Sequence, residues 1–324
     1  RVFLVPDGPL NFVDFAALPT SGGRYLVEDG PLLHLLSTER DLVHRPGAAR
    51  GTGLLAVGGP DYDASRAAAP VGDAAAASAS EPAGRACGAF LRLGFAPLPH
   101  AAEEAREVGA LWPDRAEAPL VLTGGAATKE AFVREAPGRR ALHLATHAFY
   151  LGDECAPAAP GTRGLGGIAR LPEDRPPRVR GESPAALAGL VLAGANHRGA
   201  ANADDGLLTA EEIAALDLSS AELAVLSACD TGLGELRGGE GVFGLRRAFL
   251  LAGARTVVTS LWPVRDDWTR RFMQAFYRGR FVARLDADEA LRAAHLELLA
   301  AARAERRADD PLLWAGFVAV GDWR

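Results

Sequence analysis

From Ala221 to Val264 the chain reads AELAVLSACDTGLGELRGGEGVFGLRRAFLLAGARTVVTSLWPV, and this stretch constrains the fold more than any other. Leu223 to Ala228 is a short apolar run ending at Cys229, where the chain turns polar with Asp230, Thr231 and Gly232. A run of that length, bounded by turn residues, suits a strand covered on both faces of a parallel sheet, where no polar side is needed. Val242 to Leu251 then carries apolar residues at helical spacing, and Gly253 stands where a C-cap glycine belongs. Arg255 to Leu261 resumes as a β-branched strand closed by Pro263. Strand, helix and strand with short joints make a right-handed βαβ crossover. Cys229 then lies at the carboxyl end of a central strand, where open α/β sheets carry their reactive groups.

The rest of the chain alternates in the same way. Val2 to Val5, Tyr25 to Val27, Leu54 to Val57, Leu120 to Leu122, Ala141 to Thr146, Leu187 to Leu192 and Leu313 to Val320 read as strands, and Leu32 to Leu36 as a further apolar piece. Helices are expected over His100 to Leu111, from Thr128 through Arg134, after Thr209 with Glu212 completing a capping box, around Trp268 to Tyr277, and over Asp288 to Arg303. In the first of these, Glu103, Glu104, Arg106 and Glu107 are assigned to the wet side, and Ala105, Val108 and Leu111 inward. Residues 63–85 and 152–184 are rich in Ala, Ser, Gly, Pro and Arg, carry few large apolar side chains, and read as flexible loops. The expected class is α/β with a mostly parallel sheet, and the chain is taken as an N-terminal part, 1–97, and a second part, 98–324, that holds Cys229.

Composition removes several function classes. The net charge of −6 on 324 residues argues against direct nucleic-acid binding, which needs a concentrated basic face. No apolar run reaches the length of a membrane span. Cys87, Cys155 and Cys229 are an odd set with no CxxC pair, which suits a reducing, cytoplasmic setting better than a disulfide framework or a zinc site. His34, His44, His100, His197 and His295 have no ligand spacing, and the GGEG run at Gly238 to Gly241 lacks the Lys-Ser/Thr ending of a phosphate loop. Neither a metal nor a cofactor is expected. Arg1 stands inside an apolar run, RVFLVPDGPLNF, and reads as the start of a piece cut from a longer protein.

What remains is a nucleophile and a base. The run ALHLAT delivers His147 just as the run before Cys229 delivers the thiol. If the two strands are neighbours, both residues emerge at one edge, and an imidazole beside a thiol favours the reactive thiolate. The backbone N–H groups of Cys229 and Ala148 are the candidate donors to an oxyanion. His143, two residues earlier, shares the strand face of His147 and is read as a hydrogen-bonded polar residue within the sheet.

These residues also carry a resemblance. The motif around Cys229, together with LHLATHAFY, NFVDFAALP, GRYLVED, LPHAAEEAREV, GLVLAG, DGLLTAEEI and PLLWAGFVAVGD, resembles the CHAT domain family of caspase- and separase-like cysteine peptidases, usually found behind TPR repeats. The resemblance implies a caspase-like three-layer α/β/α sandwich and a His–Cys dyad without an obligatory acid, carried here by His147 and Cys229. It implies a protein or peptide substrate and control by an N-terminal TPR-type region or sensor. One residue departs from the family pattern: Ala148 follows the histidine where the family usually has Gly. Asp230, Asp266 and Asp267 fall where caspase-like enzymes build the specificity pocket and would pair with a basic substrate residue. Their competing roles are turn cap for Asp230 and helix cap for Asp266 and Asp267. The loop holding Arg163, Arg170, Arg175, Arg178 and Arg180 is a candidate for self-cleavage, or else an ordinary solvated insertion. Two readings compete with the peptidase: a catalytically silent caspase-like interaction domain, and a cysteine hydrolase acting on small amides.

Overall fold

Most of the apolar runs bounded by turn residues become strands in the computed structural model of the chain, which describes residues 1–43, 50–64, 94–114, 116–150, 188–197, 206–230, 240–262, 265–305 and 310–322. The expected loops at 63–85, beyond Ala64, and at 152–184 with its five arginines lie outside the described residues, as do Cys87, Cys155 and Thr231 to Gly239. Cys229 and Asp230 are described by their strand positions only.

In chain order the N-terminal part supplies β1 (Val2–Leu4), α1 (Leu26–Asp29), β2 (Leu33–Leu35) and β3 (Thr52–Pro60). Then come α2 (Ala101–Ala110), β4 (Leu120–Gly124), α3 (Lys129–Glu135), β5 (Arg139–Tyr150), β6 (Ala188–Val191), β7 (Leu207–Thr209) and α4 (Ala210–Ala214). The C-terminal third adds β8 (Leu223–Asp230), α5 (Glu240–Leu251), β9 (Thr256–Ser260), α6 (Asp266–Tyr277), α7 (Ala287–Ala304), α8 (Pro311–Trp314) and β10 (Phe317–Gly321). The described strands form one sheet in the order β1-β2-β10-β9-β8-β5-β3-β4. Neighbours from β9 through β4 run parallel, while β10 is antiparallel to β9. The expected crossover is present, with Leu223 in register with Thr256 and Gly253 at φ 107° ending the helix between them.

Strand alternation sorts the core into two layers, as a sheet covered on both faces requires. Leu54, Ala56, Leu223, Val225 and Val258 pack with Trp268, Phe272 and Phe276 of α6, Leu298 of α7 and Val108 of α2. Leu55, Val57, Leu142, Leu144, Leu226 and Val257 pack on the other face with Phe132 of α3, Ile213 of α4 and Phe249 of α5. This is a three-layer α/β/α sandwich. Each fully buried Leu or Phe stabilises it by about 1.5–3 kcal/mol relative to exposure. Caps expected from sequence form as well: Thr128 accepts from Ala131 N–H (3.1 Å), and Thr209 and Glu212 close a capping box.

Four expectations change. Tyr25 to Val27 is not a strand: the Glu28 carboxylate takes the Tyr25 N–H (2.8 Å) and starts the helical turn α1. Leu313 to Val320 is not one strand, because Asp310 caps the Leu312 N–H (3.0 Å) with Pro311 preset for the first helical turn, and β10 begins only at Phe317. Glu104 is 1% exposed, not on the wet side. The strands carrying His147 and Cys229 also run longer than expected: β5 reaches Tyr150 because β6 pairs antiparallel with Ala148 to Tyr150 beyond the point where β3 leaves, and β8 reaches Asp230 because its ladder with β5 continues to Ala148.

Candidate active site

That exchange of neighbours creates the site. β3 accompanies β5 as far as Ala145, and β6 begins at Ala148, so Thr146 and His147 lie where one partner strand has left and the next has not arrived. The gap lies at the carboxyl edge of the sheet, where open α/β folds carry their sites. On the opposite side β8 continues unbroken, and its register pairs His147 with Cys229 and Ala148 with Asp230. Cys229 occupies the strand position in step with Leu223 and Val225. Beyond the last ladder pair of β8 and β9, the Ser260 hydroxyl donates to the Ala228 carbonyl (3.1 Å) and prolongs the hold on β8 up to Cys229.

His147 is 5% exposed. The Tyr62 ring lies 5.2 Å from the imidazole at 34°, and the Phe95 ring 5.9 Å away at 33°. Nε2 lies 2.8 Å from the Ala96 carbonyl oxygen, a group that only accepts, so Nε2 carries the proton and Nδ1 is the basic nitrogen. Burial pulls the imidazole below its ordinary pKa, while the Ala96 carbonyl and the Asp266 charge act the other way. The ring is therefore neutral, and basic, to lower pH than a free histidine. Tyr62 is buried and its hydroxyl is pushed up to about 12, so it remains a donor. It donates to Thr146 Oγ1 (3.0 Å), and Thr146 in turn donates to the Val191 carbonyl, which ties β5 to β6 just at the gap.

The remaining candidates fall as follows. Ala148 has an ordinary strand conformation, is buried in the second core layer, and lies inside the ladder between Asp230 and Leu190. Its methyl group fills core space, and no left-handed backbone is asked of it. Asp266 opens α6, and its carboxylate accepts the His100 N–H (2.9 Å), fixing the entry to α2. Asp267 is paired in a two-point bridge with Arg265 (3.0 and 3.1 Å), which holds its carboxyl below the usual range. His143 is hydrogen-bonded within the sheet, with Nδ1 3.1 Å from the Tyr277 hydroxyl. Among the described residues no group of three His, Cys, Asp or Glu side chains is arranged to hold a metal ion, and no helix is long and apolar enough to cross a membrane.

Sequence reasoning did not single out Tyr62, Phe95, Ala96, Asn196 or Ser260, all of which shape this site. Ala96 acts through its backbone, which leaves no trace in residue type. Asn196 had a signal, a polar side chain closing the otherwise apolar run LVLAGAN.

The CHAT domain family model matches residues 1–322. The chain is 29% identical over 327 residues to tetratricopeptide repeat protein 28 of Mus musculus, an alignment covering 99% of this chain and 12% of that protein. It is 28% identical to tetratricopeptide repeat protein 28 of Homo sapiens with the same coverage. The chain thus spans 12% of the length of these curated relatives.

Proposed function

The chain belongs to the CHAT domain family, which is caspase-like and peptidase-related, and on that premise we propose that it is a cysteine endopeptidase with Cys229 as nucleophile and His147 as base. The single observation that carries the reading is the register of His147 with Cys229 on neighbouring parallel strands. Adjacent strands run about 4.8 Å apart, a separation that thiol and imidazole side chains span. Nδ1 of His147 takes the thiol proton, and the thiolate attacks the peptide carbonyl carbon. The negative charge that develops on oxygen is met by the N–H groups of Cys229 and Ala148. As the tetrahedral species collapses, the C–N bond breaks, the imidazolium returns its proton to the leaving amine, and the acyl group stays on sulfur. Water, deprotonated by the same histidine, then releases the acid. No carboxylate is needed behind the imidazole, because the Ala96 carbonyl holds its tautomer and orientation. No metal or cofactor enters this chemistry.

The reading extends to substrate and setting. Asp230 next to the nucleophile is the carboxylate assigned to a basic P1 side chain. Asp266 and Asp267 are the further carboxylates assigned to that pocket: the Asp266 charge acts on His147, whereas Asp267 is neutralised by Arg265 until a substrate cation competes for it. The relatives' name supports a TPR-type region as the controlling partner. A nucleophilic thiol suits a reducing cytoplasmic compartment. One observation favours the second reading, a silent interaction domain: Ala148 lies inside the ladder on both sides, so its N–H reaches an oxyanion only where a ladder bond opens. A fluorogenic peptide panel varying P1 tests the proposal. Arg and Lys are expected to be cleaved, with loss of all turnover in Cys229→Ala. Preference for Asp or apolar P1 removes the basic specificity, and turnover surviving in Cys229→Ala removes the peptidase.

A further inference from the structure

His147 is held from outside its own strand. Its Nε2–H is received by Ala96, which sits between Gly94 and Leu98 in a stretch without regular secondary structure. A backbone carbonyl on such a stretch orients a side chain only if something else fixes it. The segment approaching α2 is fixed at its far end by Asp266 on the His100 N–H. At its near end it is fixed by Asn196.

Asn196 follows β6 in a short helical turn. Its Oδ1 accepts the Phe95 N–H (2.8 Å), and its Nδ2 donates to the Phe95 carbonyl (3.1 Å) and to Asp63 Oδ1 (2.9 Å). The amide thus grips both polar groups of one residue as a neighbouring strand would. That pairing fixes which end is oxygen and which is nitrogen, since Phe95 offers one donor and one acceptor. The Asn196 backbone N–H donates to the Tyr62 carbonyl (2.8 Å), and beside it Gly194 N–H donates to the Asp61 carbonyl (3.0 Å). One residue therefore binds together the two segments, Asp61–Asp63 and Phe95–Ala96, whose rings flank the imidazole and whose carbonyl receives its proton.

We infer that Asn196 is a positioning residue for the reaction: by gripping Phe95 it holds the Ala96 carbonyl on His147 Nε2, and so keeps Nδ1 basic and in place. Its catalytic consequence rests on the peptidase reading; its mechanical consequence concerns His147 alone. The test separates the two. In ¹H–¹⁵N spectra of ring-labelled protein, the wild-type Nε2–H of His147 gives a resonance, because burial and a hydrogen bond slow its exchange. In Asn196→Ala that resonance is lost while the amide spectrum stays dispersed, and alkylation of Cys229 by iodoacetamide at neutral pH slows about 10-fold to 100-fold, the scale of a misplacement near 1 Å. Should Asn196→Ala not fold, Asn196→Asp carries the test: it keeps an acceptor for the Phe95 N–H and removes both donors, so the resonance weakens or vanishes. An Nε2–H resonance unchanged in the folded variant overturns the inference. Loss of the resonance with Cys229 reactivity indifferent to His147→Ala upholds the positioning and rejects the peptidase reading.

Discussion

Replacing Glu104 by Ala removes a carboxylate from the middle of the protein. Glu104 lies on α2 with its Oε1 3.1 Å from His143 Nε2, and the side chains of Glu104 and His143 are 2% and 0% exposed. On the other side of the imidazole, Nδ1 meets the Tyr277 hydroxyl (3.1 Å). Burial, with the Glu104 charge adding to it, holds that hydroxyl well above its ordinary pKa, so it keeps its proton and donates it to Nδ1. Nε2 then carries the ring proton beside the Glu104 carboxylate, in a close contact that is not an aligned hydrogen bond, and both atoms are buried from water. Because Tyr277 donates to Nδ1, the imidazole is neutral, and removing the carboxylate leaves a buried neutral N–H with no acceptor, which costs about 1–3 kcal/mol. At roughly 2 °C per kcal/mol for a domain of this size, the melting temperature falls by about 2–6 °C. Glu103, one residue earlier, is the internal comparison: its side chain is 53% exposed and bridges Arg270 across the surface. Glu103→Ala is expected to cost at most about 1 kcal/mol. Thermal unfolding followed by circular dichroism measures both variants. If Glu104→Ala melts with Glu103→Ala, the carboxylate is not a buried partner of His143 and the packing of α2 on the sheet described above is wrong.

Other expectations follow from the same physics. Asp14 and His295 face each other at 3.9 Å, with burial pushing the carboxyl up to about 7 and the imidazole down to about 4. Between those limits and the ordinary values, unfolding moves one proton from the acid to the imidazole, so the pair adds no net slope to stability. Asp14→Asn leaves His295 alone: the unfolded chain then binds a proton the native state does not, and stability falls by about 1.4 kcal/mol per pH unit as pH drops from 6.5 toward 4. A pH series of urea titrations reads this, and a flat profile in Asp14→Asn contradicts it. Because burial lowers the His147 pKa, the acid limb of the rate of Cys229 alkylation should have its midpoint below pH 6.5; a midpoint above that value removes the buried imidazole as the controlling base. A methyl group at Gly58 would stand 2.2 Å from the Ala101 carbonyl oxygen, so Gly58→Ala must push α2 off β3 and is expected to cost about 1–3 kcal/mol in the same urea titration; no loss would mean the helix does not sit that close.

The two strands that meet at the site were legible because a strand buried on both faces is mostly apolar and free of charged side chains, and Leu223 to Ala228 and Ala141 to Thr146 both fit, interrupted only by Ser227 in the first and by His143 and Thr146 in the second. Their true ends were not, because β5 is prolonged by β6, a partner supplied from far along the chain. Glu104 shows how residue type can mask a pattern. Ala101, Glu104, Ala105 and Val108 recur at helical spacing on the buried stripe of α2, so position alone pointed inward; the charge suggested water, and the histidine that takes it in lies on another element. Asp266 was read as a pocket or helix-cap residue and anchors the approach to a different helix, α2, because its acceptor meets a backbone N–H that no side-chain motif announces. The support of His147 by the Ala96 carbonyl was illegible for the same reason.

The central claim is that His147 and Cys229 form one working unit, and covalent labelling tests it most directly. The purified protein is treated with an arginyl acyloxymethyl ketone beside Cys229→Ala and His147→Ala, and the adduct is located by mass spectrometry. The account expects adduct on Cys229 in the wild type and its loss in His147→Ala. Absence of adduct, with Cys229 reacting with iodoacetamide only as fast as an ordinary thiol and unchanged by His147→Ala, would contradict it.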